Sequence, residues 1–278
     1  MIKKALPIAI LVVSSFIFYN FIMSHSTPTD FVSAYVSSSN LFSNFNNQIG
    51  VSVNDPQREI EEIVNKYLPT TTATLGIGIK NITTSQEYYL NKDLPFTSAS
   101  LYKLVVMYSA FYEAKIGRLD VNDPQVAASL KAMISVSSNE DALFLAEKIG
   151  WSRISEIAKK IGLKNTTFTD PPTTTPEDMT NLLNLIVLDR ALDPSSSLQM
   201  KELLLSQRIN DRIPLLLPPV PVAHKTGELD DVRHDVGIVY GDKSTYIITL
   251  MSKEISSETE IKTLMAKLSL DIYNYFER

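Results

Sequence analysis

Ser100 and Lys103 stand three residues apart in Ser100-Leu101-Tyr102-Lys103. A serine hydroxyl is a poor nucleophile until a neighbour accepts its proton. At the start of a helix, residues three apart share one face. A lysine in a partly desolvated, cationic place gives up enough of its charge to act as that base. The helix N-terminus adds partial positive charge beside the nucleophile. The plain alternative is a capping serine and a surface lysine, and this pair alone does not separate the two.

Ser137-Ser138-Asn139 follows Met133-Ile134, at a corner where one helical segment ends and the next begins. A hydroxyl from Ser137 could relay a proton to a leaving nitrogen. The Asn139 amide could hold a substrate carbonyl while also bonding Lys103. The alternative is a Ser-rich helix cap, with Ser138 leading into Glu140 and Asp141. Lys225-Thr226-Gly227 lies on an expected strand after Pro218-Pro219. Lys225 supplies positive charge, Thr226 a hydroxyl for a substrate carboxylate, and Gly227 close backbone approach. The next N–H, on Glu228, can then point with that of Ser100 at a developing oxyanion. A strand that merely ends in a turn is the alternative.

In this order, on a helix start, an inter-helix corner and an edge strand, the three groups make a specific pattern. SxxK, SxN and KTG are the signature of class A β-lactamases and penicillin-binding proteins, and this chain resembles them. Thr173 to Met179 looks like the segment that follows the omega loop in class A enzymes, and Met133 to Asn139 like their S-D-N helix region. The resemblance covers residues 56–278. It implies a nucleophile at Ser100, a base at Lys103 and a proton donor at Ser137. Asn139, Lys225, Thr226, Gly227 and Glu228 would bind substrate.

The chain also departs from that pattern. Ser138 replaces the usual acid of S-D-N. The stretch from Lys103 to Ser137 is short, so one wall of the cleft is expected to be missing. The omega loop, between Leu163 and Pro176, is abbreviated and holds no Glu. The deacylating Glu of the family therefore has no counterpart. Asp170 is the loop's only acid and the one surrogate base it offers. Glu177 and Asp178 are expected to serve a helix dipole. His224 and His234 are expected to pack on strands rather than catalyse. Arg233 could bind a substrate carboxylate through its fork, or pair with Asp231 or Asp235.

These residues need elements to position them. Residues 56–68 read as an amphipathic helix closed by Pro69. Residues 74–82 and 87–91 read as strands, and 101–116 as a helix. Residues 125–161 read as helices broken at Ser137, Gly150 and Gly162. Thr175-Pro176-Glu177-Asp178 starts a helix running to about Leu192, and another covers about 196–207. Residues 220–226, 232–240 and 244–251 read as antiparallel strands, with Gly241-Asp242-Lys243 as the tight turn between the last two. Residues 257–276 close as a helix. Neither strand group is a stable sheet alone. The expected fold is α+β: one five-stranded antiparallel sheet, terminal helices on one face and an all-helical subdomain on the other.

The chain has 278 residues, 44% hydrophobic and 21% charged, with a net charge of −5. That balance lacks the basic footprint of a nucleic-acid binder. The absence of cysteine excludes disulfides, thiolate metal sites and a cysteine nucleophile. No ligand cluster supports a metal, and no cofactor is expected. After Lys3 and Lys4, an apolar run spans residues 5–23. At about 1.5 Å per residue it matches the ~30 Å hydrocarbon core. It reads as a single-pass anchor that leaves the rest of the chain outside; the alternative is a signal segment, cleaved on secretion. Residues 24–55, rich in Ser, Thr and Asn, read as a linker. The catalytic domain is expected at 56–278, as a monomer. Three functions remain open: a β-lactam-reactive hydrolase, a D-Ala-D-Ala peptidase or transpeptidase acting on peptidoglycan, and a non-catalytic wall-binding module.

Overall fold

The computed structural model describes residues 56–278 except Ala191. Its helices are α1 (Pro56–Asn65), α2 (Tyr102–Lys115), α3 (Pro124–Ser135), α4 (Asn139–Ile149), α5 (Trp151–Lys160), α6 (Pro176–Val187), α7 (Pro194–Leu205) and α8 (Glu258–Phe276). Strands β1 (Thr74–Asn81), β2 (Glu87–Leu90), β5 (Val222–Leu229), β6 (Val232–Tyr240) and β7 (Thr245–Lys253) form the main sheet. Its order is β2-β1-β7-β6-β5, every pairing antiparallel. The first two strands and the last three thus share one sheet, and β5 is an edge. Two-residue strands β3 (Phe96–Thr97) and β4 (Thr173–Thr174) pair separately.

Side-chain alternation along β7 decides which layer lies on which face. Tyr246, Ile248 and Leu250 join Ile60, Val64, Ile261, Leu268 and Ile272, so α1 and α8 cover one face. Ile247 and Met251 join the helical middle on the other. Between them Thr249 shares a buried 2.9 Å hydrogen bond with Thr180 of α6. The helix comes this close because β1 carries Gly78 opposite Thr249; a Cβ there would collide with Thr180 Oγ1. At the centre of the middle layer, Leu104, Val105, Val106, Met107 and Ala110 of α2 are all buried. A helix apolar on every side has no solvent face, so α2 is a rigid post for whatever stands at its N-terminus.

Several boundaries differ from the sequence reading. Helix α6 stops at Val187 rather than near Leu192, because the chain reverses at Asp189, which has a φ of +55°. Strand β5 continues past Thr226 to Leu229, because its ladder with β6 runs on to the Leu229–Val232 pair. The β3–β4 pair carries no period and was not foreseen. Among the described residues, no helix is long and apolar enough to cross a membrane. The anchor expected at 5–23 and the linker expected at 24–55 lie outside the described residues.

Candidate active site

Ser100 lies in a single 3₁₀ turn, Ala99–Leu101, that leads directly into α2. Ala99 before it has a φ of +46°, and Ser137 a φ of +59°. Left-handed backbone at non-glycine residues costs on the order of 1–3 kcal/mol each. One strained position adjoins the Ser100 hydroxyl and the other carries the Ser137 hydroxyl. Ser98 N–H donates to Pro172 O at 2.8 Å, tying the chain that leads into Ser100 to the loop before α6.

Lys103 is fully buried on the first turn of α2. Its Nζ donates to Ser137 O at 2.5 Å, to Asn139 Oδ1 at 2.7 Å and to Ser137 Oγ at 3.3 Å. Across the cleft, Lys225 Nζ donates to the same Ser137 Oγ at 2.9 Å and to Thr226 O at 2.7 Å. Burial pushes Lys103 down from 10.5 to about 8. Burial, aided by the nearby Lys103 charge, pushes Lys225 down to about 7. Two buried amines therefore share one hydroxyl, each with an ionisation near neutral pH. The corner also resolves the competing reading of Ser138. Its Oγ caps α4, accepting from Asp141 N–H at 3.2 Å, while Ser137 and Asn139 reach the lysines.

Strand β5 closes the site. A Cβ on Gly227 would lie 3.3 Å from Ser100 N, Ser98 O and Leu101 Cγ, tighter than an ordinary contact. Glycine lets the strand backbone lie against the amide of Ser100.

Arg233 is not brought to this cluster. Its Nη1 donates to Val232 O at 2.7 Å and also to Leu229 O, and its Nη2 donates to Glu258 Oε2 at 2.6 Å. Its partners are the β5–β6 turn, the start of α8 and, from Nε at 4.0 Å, Glu228, not Asp231 or Asp235. A different arginine lies behind β5. Arg212 is fully buried, its Nη2 donating to Glu228 Oε2. Its one sequence signal was a charged pair, Asp211-Arg212, running into apolar Ile213 to Pro219.

Both strand histidines are buried structural groups. His234 donates from Nε2 to Thr97 O at 2.8 Å, and its Nδ1 accepts from Ser252 N–H at 3.2 Å. Burial holds it down to about 4, so it stays neutral. His224 is bracketed by Asp235 Oδ1 at 2.8 Å and the Asn210 side-chain amide at 2.9 Å.

The short loop before α6 is organised by Asp178. Its carboxylate accepts from Lys164 N–H at 3.2 Å, Asn165 N–H at 2.9 Å and Thr166 Oγ1 at 2.7 Å. Asp178 is thus a buried clamp as well as a first-turn acid. Asp170 is exposed. Nearby, Trp151 stacks obliquely between Tyr102 and Phe168, at 6.0 and 6.2 Å between ring centroids.

No curated protein matches the chain by sequence. Solved structures match its fold. A β-lactamase from Sphaerobacter thermophilus superposes with a TM-score of 0.72 at 16% identity, covering 78% of this chain and 96% of that one. PBP-A gives 0.73 at 21%, covering 81% and 97%. The TLA-1 extended-spectrum β-lactamase gives 0.74 at 17%, covering 80% and 99%. The fold is that of the class A β-lactamase-like serine hydrolases. The model of the β-lactamase enzyme family matches residues 55–129 and 124–276. With nearly the whole described domain matched, the chain belongs to the β-lactamase enzyme family.

Proposed function

We propose that the protein is a serine hydrolase acylated at Ser100 by β-lactams or related cell-wall amides. The observation that carries this reading is a chain of hydrogen bonds that brings four residues together: Asn139 and Ser137 on Lys103, and Lys225 on the same Ser137 hydroxyl. Ser100 Oγ attacks the amide carbon, and its proton passes to the neutral Lys103 amine. The carbonyl oxygen takes negative charge facing the N–H groups of residues 100 and 228. The C–N bond then breaks as Ser137 Oγ–H protonates the leaving nitrogen. Ser137 recovers its proton from a neighbouring lysine ammonium, and Ser100 is left as an ester. Water completes the cycle by hydrolysing it.

The substrate class draws support from PBP-A, a variant of which has been solved as an acyl-enzyme complex with penicillin G. A second reading, a D-Ala-D-Ala peptidase or transpeptidase using the same acylation, draws on the Glu-free loop. Fast hydrolysis of a β-lactam ester needs a base there, and the loop offers exposed Asp170 alone. Intact-protein mass spectrometry after exposure to a penicillin tests the common step. Wild type gains one adduct and Ser100→Ala none; equal labelling without Ser100 overturns the assignment. We further propose that residues 5–23 anchor the domain at the outer face of the cytoplasmic membrane. Full-length protein recovered in the cytosol on fractionation would defeat that.

A further inference from the structure

Behind the edge strand lies a cationic corner. Lys225 uses donors on Ser137 Oγ and Thr226 O. Arg212 is fully buried, and neither its Nε nor its Nη1 has a hydrogen-bond partner. The other charges nearby have further partners of their own. Asp211 pairs with Lys262 at 2.7 Å and lies 3.4 Å from Arg212 Nη1, and Glu258 pairs with Arg233 at 2.6 Å, whose Nε lies 4.0 Å from Glu228 Oε2. Asp235 accepts from Ile213 N–H at 3.0 Å and contacts His224. The hydrogen bond that Arg212 makes goes to Glu228. That residue directly follows Gly227, and its side chain is 51% exposed. A carboxylate therefore stands at the rim of the cleft, on the arginine that an incoming anion would seek.

Resting on the serine-hydrolase reading above, we infer that Glu228 determines specificity, its carboxylate disfavouring substrates that carry a free carboxylate beside the scissile amide. The substrate class this selects is an amide that is uncharged at that position, such as an internal link in a longer peptide. Glu228 fills the anionic place on Arg212 and repels a second anion beside Lys225. The backbone of the same residue serves the oxyanion, so the strand that stabilises the reaction also filters its substrate. The field of Glu228 reaches Lys225, where it favours the charged amine.

Benzylpenicillin and its methyl ester differ by one carboxylate charge and test the filter. Acylation rate constants for both are measured on full-length wild type, Glu228→Gln and Glu228→Asp. The readout is the ratio of the acid's rate to the ester's, which is unaffected by a partly unfolded preparation because both probes see the same active fraction. Removing one charge at this range should raise the ratio about 10-fold in Glu228→Gln. Glu228→Asp, which keeps the charge, should stay within about 2-fold of wild type. An unchanged or lower ratio in Glu228→Gln, or a Glu228→Asp that behaves like it, overturns the inference. If wild type is labelled at Ser100 by neither probe, the hydrolase reading itself fails and takes this inference with it.

Discussion

The ammonium of Lys225 donates to Ser137 Oγ across 2.9 Å, joining the edge strand β5 to the corner between α3 and α4. Lys103 approaches the same oxygen from α2 at 3.3 Å. One hydroxyl thus has two possible proton sources, held by three elements far apart in sequence. The chemistry of the site depends on which amine carries a proton at a given pH.

Burial lowers Lys103 to about 8 and Lys225 to about 7, both from 10.5. Acylation of Ser100 should therefore rise with pH along a limb near pH 8, as neutral Lys103 becomes available; the limb belongs to the coupled pair. A flat rate profile between about pH 6 and 10 would exclude Lys103 as base. Lys103→Ala should acylate at least ~100-fold more slowly. The same shifts act on stability. Between about pH 7 and 10.5 the unfolded chain binds more protons at these two lysines than the folded one, so their contribution to stability rises with pH. Below that window both are protonated in both states, and their destabilising effect is complete.

Ser137 carries the hydroxyl that both lysines reach, on a backbone at φ +59°. Ser137→Ala and Ser137→Gly both remove the hydroxyl, and both should slow Ser100 acylation by ~10–100-fold. They differ in backbone strain. The glycine variant should be more stable than the alanine variant by about 1 kcal/mol, because only alanine retains the left-handed penalty. Urea denaturation of the pair measures this. Equal midpoints would mean that the corner relaxes once the hydroxyl is gone.

Asp178 accepts three hydrogen bonds from residues 164–166 while buried in the first turn of α6. Asp178→Ala leaves the Lys164 and Asn165 N–H groups without this acceptor, while Thr166 Oγ1 keeps its 2.8 Å contact with Thr174 Oγ1. It should destabilise the domain by roughly 2–4 kcal/mol and make the 163–175 backbone susceptible to proteolysis before the rest. Limited proteolysis with a parallel thermal melt checks both effects. Full retention of both would assign the loop's order to the Thr167–Thr173 bridge instead.

Turnover should lag behind acylation. No Glu lies between Leu163 and Pro176, and Asp170 is exposed. Losing one general base costs ~10²–10⁴-fold in rate. A chromogenic cephalosporin should give a burst of about one equivalent and then very slow release. Sustained turnover at ~10 s⁻¹ or above would show that another residue activates water. Asp170→Asn, and then changes at Glu140, would identify it.

The order of elements could be read along the chain because each has a local cause. Thr175-Pro176 starts α6 with Thr175 Oγ1 accepting from Asp178 N–H at 3.2 Å. Ser138 caps α4, and Gly150 with a φ of +93° separates α4 from α5. The one-sheet topology also followed, since two strands and three strands each needed the other's edge. Periodicity cannot see the two-residue β3–β4 pair, which exists only because Phe96 and Thr174 are brought opposite one another.

The candidate site divides the same way. The types and spacing of Ser100, Lys103, Ser137, Asn139 and Lys225 could be read from sequence as a candidate set, and the fold brings the last four together. Which arginine stands behind the edge strand could not be so read. Arg233 and Arg212 both lie near Gly227 in the chain, and either fork can bind a carboxylate. Only the packed sheet decides between them: it directs the Arg233 hydrogen bonds to Leu229, Val232 and Glu258, leaving its Nε 4.0 Å from Glu228, and buries Arg212 in a hydrogen bond with Glu228. A side chain's partners depend on distances between elements that no local pattern encodes. The depressed ionisations of Lys103 and Lys225 arise likewise from desolvation, which exists only once α2, the α3–α4 corner and β5 have closed around them.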